Sequence, residues 1–101
     1  MSKIGIYPGT FDPLTNGHLN IINRSLKIVD KLIIGVADNP NKLPLLNTNE
    51  RINIIKNDIN INNFEKNILE IHSMKGLLTD FAKSFNANCI IRGLRAVSDF
   101  E

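Results

Sequence analysis

The sequence holds a single cysteine, Cys89, in 101 residues, so no disulfide can close within the chain and a reducing, cytoplasmic setting is expected. Long apolar runs are missing as well. None approaches the roughly 20 residues that a membrane-spanning helix needs, and Met1-Ser2-Lys3-Ile4-Gly5 passes straight into strand-like sequence without the apolar core of a signal peptide. An excess of one charge is lacking too: 12 Lys and Arg face 10 Asp and Glu, a formal charge of +2. With no basic stripe and no interleaved aromatic residues, nucleic-acid binding has little support. The asparagines are numerous but scattered, so no low-complexity tract forms. What remains, 43% hydrophobic and 22% charged residues, excludes a disordered tail or a collagen-like repeat and fits one globular domain.

What is present is an alternation of two hydrophobic periods. Residues 3–7 form a β-prone run that stops at Pro8-Gly9. Leu19, Ile22, Leu26 and Val29 recur at helical spacing, with Asn16 placed to cap that helix. Residues 31–37 are a continuous apolar strand closed by Asp38-Asn39-Pro40. Asn47 and Glu50 resemble a capping box ahead of a second helix marked by Ile52, Ile55 and Ile59. A weaker third strand covers about 64–71, and its charges suit a sheet edge. Ser73 is expected to cap a third helix carrying Leu77, Leu78, Phe81, Ala82 and Phe85, and residues 88–91 a fourth strand ending at Arg92-Gly93. The last eight residues read as the opening of another helix. The order β-α-β-α-β-α-β, with the start of a helix, implies a Rossmann-like α/β fold: a parallel sheet, right-handed crossovers and helices on both faces. Ligands of such sheets bind beyond the carboxyl ends of the strands. That rule points to residues 7–18, 38–46 and 92–98.

The first of these segments is Tyr7-Pro8-Gly9-Thr10-Phe11-Asp12-Pro13-Leu14-Thr15-Asn16-Gly17-His18. Its glycines and prolines fix a tight loop that leads into a helix N-terminus, where free N–H groups and the helix dipole favour an anion. His18 falls in the first helical turn, and Gly17 lets a ligand approach the backbone. An isolated Gly-His pair would be an ordinary turn with a surface histidine. The whole string says more. Gly9 to Pro13 with Thr15 to His18 resembles the signature of the nucleotidyltransferase superfamily, a His- or Thr-led x-Gly-His motif. Arg92-Gly93-Leu94-Arg95-Ala96-Val97-Ser98-Asp99-Phe100-Glu101 resembles the bacterial phosphopantetheine adenylyltransferases within it, and Gly76-Leu77-Leu78-Thr79-Asp80-Phe81-Ala82 fits the same group.

The resemblance implies adenylyl transfer from ATP to 4′-phosphopantetheine, giving dephospho-coenzyme A and pyrophosphate with Mg²⁺ assisting. It assigns His18 to the α-phosphate in the transition state and Lys42 to the attacking phosphate. It sets Thr10 and Phe11 against ATP, Thr10 also touching the phosphopantetheine phosphate. Arg92 would hold the substrate phosphate, Gly93, Leu94 and Arg95 would contact ATP, and Leu78 would line the pantetheine arm. No protein residue is assigned to a metal. Taken singly these residues read more plainly. Lys42 is a solvated loop lysine, Leu78 a core leucine, Asp12 a turn former before Pro13, His72 a loop histidine and Cys89 a small buried residue. The family's members run on through a fifth strand and a serine-rich loop. The expectation is therefore one domain over 1–101, truncated at its C-terminus and part of a longer product. Activity of this stretch alone, and the family's hexameric assembly, are thereby in question. A sister enzyme acting on nicotinate mononucleotide or a cytidylyl acceptor is the nearest alternative, although such motifs usually begin with histidine where Thr15 stands. A receiver-like binding module lacks its acidic pair after the first strand, and a dinucleotide-binding domain lacks its Gly-x-Gly-x-x-Gly.

Overall fold

Lys31–Ala37 is apolar on both faces, and such a segment is stable only inside a sheet covered on two sides. In the computed structural model, which describes residues 3–38, 46–61, 68–92 and 97–99, this segment is strand β2. It pairs in parallel with β1 (Ile4–Gly9) on one side and with β3 (Leu69–Met74) on the other. Helix α1 (Asn16–Ser25) joins β1 to β2, and α2 (Thr48–Ile61) lies between β2 and β3. Helix α3 (Leu78–Ser84) leads to β4 (Cys89–Ile91), which runs parallel to β1, and β5 (Val97–Asp99) follows. The sheet order is β3-β2-β1-β4-β5. The chain thus grows one way from β1 through β2 and β3, then returns to the other side with β4. The reversal makes the carboxyl ends of β1 and β4 the switch point where such sheets take ligands.

Alternation along the strands separates two cores. Tyr7, Leu32, Ile34 and Val36 face Ile22 of α1 and Ile55 and Ile59 of α2. Ile6 and Ile33, one residue out of step, face Ala82 with Leu78, Phe81 and Phe85 of α3. Gly35 lets α3 come close: a Cβ there would stand 3.0 Å from the Phe81 ring and 3.2 Å from the Met74 sulfur.

Four local expectations change. Thr15, not Asn16, is the N-cap of α1. The third strand reaches Met74, because pairing continues through Val36 with Ser73 and Ala37 with Met74. Residues 64–67 lie outside the described ones. Ser73 is therefore a strand residue, and α3 starts after a turn in which Gly76 takes φ +76°, with Leu77 as an N-cap that makes no side-chain bond. The end of the chain, expected to open a helix, holds the antiparallel strand β5, with Ile91 opposite Val97. Beside β1, β4 would otherwise show a bare edge of N–H and C=O groups, which the returning chain pairs. The Asn47–Glu50 box forms as expected: Glu50 N–H donates to Asn47 Oδ1 at 2.8 Å and Asn47 N–H to Glu50 Oε1 at 3.1 Å. The weak third strand is indeed at the edge, where Glu70 pairs with Lys31 and, at 2.9 Å, with His72 Nε2.

Candidate functional site

The loop leaving β1 is folded back on itself. Phe11 adopts φ +50°, a left-handed conformation costing a non-glycine residue about 1 kcal/mol. The turn brings its ring over Gly9, whose missing side chain leaves the room: a Cβ there would lie 3.0 Å from the ring. Phe11 is 2% exposed. Its ring meets Tyr7 edge-on at 5.3 Å and His18 at 4.9 Å between centroids, giving the imidazole an aromatic floor.

Thr15 and His18 then close a reciprocal pair. Thr15 N–H donates to His18 Nδ1 at 2.9 Å, and His18 N–H donates to Thr15 Oγ1 at 3.3 Å. This is a capping box with histidine in the place usually held by Glu or Gln. A backbone N–H can only donate, so Nδ1 is the acceptor and the neutral ring carries its proton on Nε2. Burial pushes the His18 pKa below its ordinary value. The ring is accordingly neutral at pH 7, with one N–H donor left for a ligand.

Around it lie the other loop ends. Ile6 is opposite Ile90 in the parallel ladder, so Arg92, two residues on, stands beside the end of β1. Arg92 is exposed and makes no ion pair with another described residue. Thr10 is exposed at the same rim. Asp12 Oδ1 accepts the Leu46 N–H at 3.0 Å, tying the β1 loop to the approach of α2 and giving this carboxylate a long-range role beyond a local turn. Arg51, 2% exposed, sends Nη1 to the carbonyls of Thr10 and Ala37, both at 2.8 Å. Its Nε donates to Leu46 O at 3.1 Å and its Nη2 to Thr48 Oγ1 at 3.0 Å. A buried cation is tolerable only with its donors so engaged. Beyond β2 and β3 a cleft of about 700 Å³ opens, with Asp38, Thr48, Ser73, Lys75 and Phe81 among its walls. It is roomy but is lined by none of the rim residues around His18, which lie at the switch point.

The structure thus brings Thr10, His18 and Arg92 to one end of the sheet. Phe11 belongs to the floor through its ring. Leu78 packs, half-buried, against the core of Ile6 and Ile33, whereas its neighbour Leu77 is 67% exposed. Lys42, Gly93, Leu94 and Arg95 lie outside the described residues. His72 is a strand residue whose ring sits 4.8 Å from that of Phe85, and Cys89 is buried in the core as expected. The sequence marked Thr15 as the lead of the x-Gly-His motif but not as a helix cap, and it passed over Arg51. For Arg51 a signal existed, since it precedes Ile55 and Ile59 at steps of four and so belongs to the buried stripe. For the capping role of Thr15 none did, because histidine is not the usual partner in a capping box.

Known proteins resemble this chain. The chain is 48% identical over its whole length to a phosphopantetheine adenylyltransferase of Pelagibacter ubique, covering 62% of that protein. It is 56% identical over 98% of its length to the enzyme of the same name from Wolbachia sp. subsp. Drosophila simulans, covering 57% of it. A third, from Clostridium botulinum, is 52% identical, with 98% of this chain and 60% of that protein matched. The chain therefore spans about three fifths of the length of these curated relatives. Among solved structures, a bifunctional NMN adenylyltransferase/ADP ribose pyrophosphatase from Francisella tularensis, complexed with AMP and a manganese ion, superposes with TM-score 0.65 at 22% identity. That match covers 84% of this chain and 25% of that one. A lipopolysaccharide core biosynthesis protein from Thermoplasma volcanium gives 0.64 at 22% identity, over 89% and 73% of the two chains. Both show the same fold. The cytidylyltransferase-like family model matches residues 6–101, from the middle of β1 past the Arg92 segment, and the chain belongs to that family.

Proposed function

We propose that the intact protein transfers the adenylyl group of ATP to 4′-phosphopantetheine, releasing dephospho-coenzyme A and pyrophosphate in coenzyme A biosynthesis. Relatives of that name, matched along almost the whole chain, support the choice of acceptor. The observation that carries the reading is the Thr15–His18 pair, which presents a neutral Nε2–H donor at the switch point of the sheet.

In this reading the phosphate of phosphopantetheine, ionised at neutral pH, attacks the α-phosphorus of ATP in line. A new P–O bond forms, the bond to the bridging oxygen breaks, and pyrophosphate departs. The nucleophile needs no general base and the reaction no covalent intermediate. The difficulty is bringing two anions together, so catalysis consists of positioning and of charge placed around the transition state. His18 donates from Nε2 to an α-phosphoryl oxygen. Lys42 holds the attacking phosphate, Arg92 the phosphate of the acceptor, and Thr10 meets both substrates. Gly93, Leu94 and Arg95, with the Phe11 loop, receive the nucleotide, and Leu78 borders the pantetheine arm. One such cation about 4 Å from a phosphate charge contributes about 4 kcal/mol at an effective dielectric of about 20.

Mg²⁺ enters with the nucleotide, as the MgATP substrate. It prefers phosphate oxygens and water, and among the described residues no three His, Cys, Asp or Glu side chains gather to hold a metal. The hexamer that the resemblance implies, and the cytoplasmic setting expected from the single cysteine, belong to this proposal as well.

The test incubates the intact protein with MgATP and either 4′-phosphopantetheine or nicotinate mononucleotide, and follows products by chromatography. Dephospho-coenzyme A from the first acceptor and nothing from the second is expected. Turnover of nicotinate mononucleotide alone would reassign the enzyme.

A further inference from the structure

We infer that Arg51 is a positioning residue for adenylyl transfer, a buried guanidinium that fixes the ends of the two substrate-binding loops relative to each other. The inference rests on the adenylyl-transfer reading, and its footing is geometric. Gly9 is opposite Val36, so Thr10 and Ala37 come next, one residue past the last rung between β1 and β2. Their carbonyls are both taken by Nη1 of Arg51, which continues the ladder with a side chain. The same side chain fastens Leu46 O through Nε and Thr48 Oγ1 through Nη2. The chain that leaves β2 after Ala37 and re-enters the described structure at Leu46 carries Lys42. One planar fork therefore holds both ends of that segment and also Thr10, the first residue of the β1 loop. The Asp12–Leu46 bond adds a second tie between the same two loops.

Packing alone would be served by an aliphatic residue, as at Ile55 and Ile59 on the same stripe. A lysine keeps the charge and loses the fork. Displacement of a reacting group by about 1 Å can cost on the order of 10²-fold in rate, so a clamp shared by two loops acts on catalysis without touching substrate.

The experiment compares the intact parent protein with Arg51→Lys and Thr48→Val, the latter removing one arm of the clamp and leaving the guanidinium. Steady-state constants are expressed per folded molecule, with the folded fraction taken from circular dichroism. Arg51→Lys is expected to raise KM for phosphopantetheine at least tenfold and to lower kcat, and Thr48→Val to shift both about two- to threefold in the same directions. Constants per folded molecule within twofold of the parent for Arg51→Lys would overturn the inference, because a purely structural role changes only how much protein is folded. If Arg51→Lys does not fold, Thr48→Val decides by the direction of its KM shift, and no shift overturns. Hydrogen exchange judges the clamp without reference to turnover. Amides of residues 10–12 and 46–48 are expected to exchange at least tenfold faster in the variant that folds, with the interior of β2 unchanged; equal exchange overturns. A parent that makes no dephospho-coenzyme A refutes the adenylyl-transfer reading, and the exchange result still stands for or against the clamp.

Discussion

The imidazole of His18 is defined by what sits on either side of it. Phe11 meets it in a T-shaped contact, the Thr15 N–H occupies Nδ1, and one proton on Nε2 is left for a ligand. In the intact protein His18→Ala is expected to lower kcat by about 10²–10³ with little change in ATP affinity; an unchanged kcat would remove His18 from the chemistry. Burial holds the ring's pKa down, so its NMR titration is expected to fall below the ordinary value of about 6.5. A midpoint at or above that value would contradict the neutral donor. Much of this was legible in the string from Gly9 to His18, which marked the loop and the histidine. Two parts were not. The tautomer depends on a backbone N–H three residues upstream. The burial of Phe11 depends on a positive φ that nothing in a phenylalanine announces.

At the scale of elements, the apolar run 31–37 identified its strand to the residue, because a continuous apolar run closed by Asp38-Asn39-Pro40 is what a strand buried on both faces requires. Boundaries set by pairing were harder to read. β3 runs to Met74 because β2 offers partners that far, and β5 exists because β4 needed a neighbour; neither cause is local. The α2 capping box, by contrast, was local and readable. Asn47→Ala is expected to cost about 0.5–2 kcal/mol in denaturant unfolding, and a midpoint identical to the parent's would show the box to be idle. Gly35→Val forces a side chain into the Phe81 ring and the Met74 sulfur. Overpacking of that kind costs about 1–3 kcal/mol, checked by the same unfolding curves.

For the molecule as a whole, topology explains why residues far apart in sequence meet. The strand order turns about β1, and the loops that follow β1 and β4 share one rim. The alternation of strands and helices made that rim predictable. The place of Arg51 on the buried stripe of α2 was readable, but its role beneath that rim was not, since its four acceptors come from three separate stretches of chain. Among the described residues, two groups make stability depend on acid. The pKa of Glu70 is lowered by its hydrogen bonds to His72 and Lys31, and that of His18 by burial. In both cases the unfolded chain binds the proton more readily. The His18 contribution is complete above about pH 6.5 and the Glu70 contribution above about pH 4.5. Each fades as pH falls through its lower, folded-state value. Thermal midpoints are expected to decline from pH 7 toward pH 4, and Glu70→Gln to flatten the acid end of that profile. The reciprocal bonds of Thr15 and His18 carry one more consequence. The same few atoms that start a helix also tell an imidazole where to keep its hydrogen. Warming that frays the first turn of α1 would then scramble the proton's address while the sheet is still whole, and loss of chemistry would precede loss of structure.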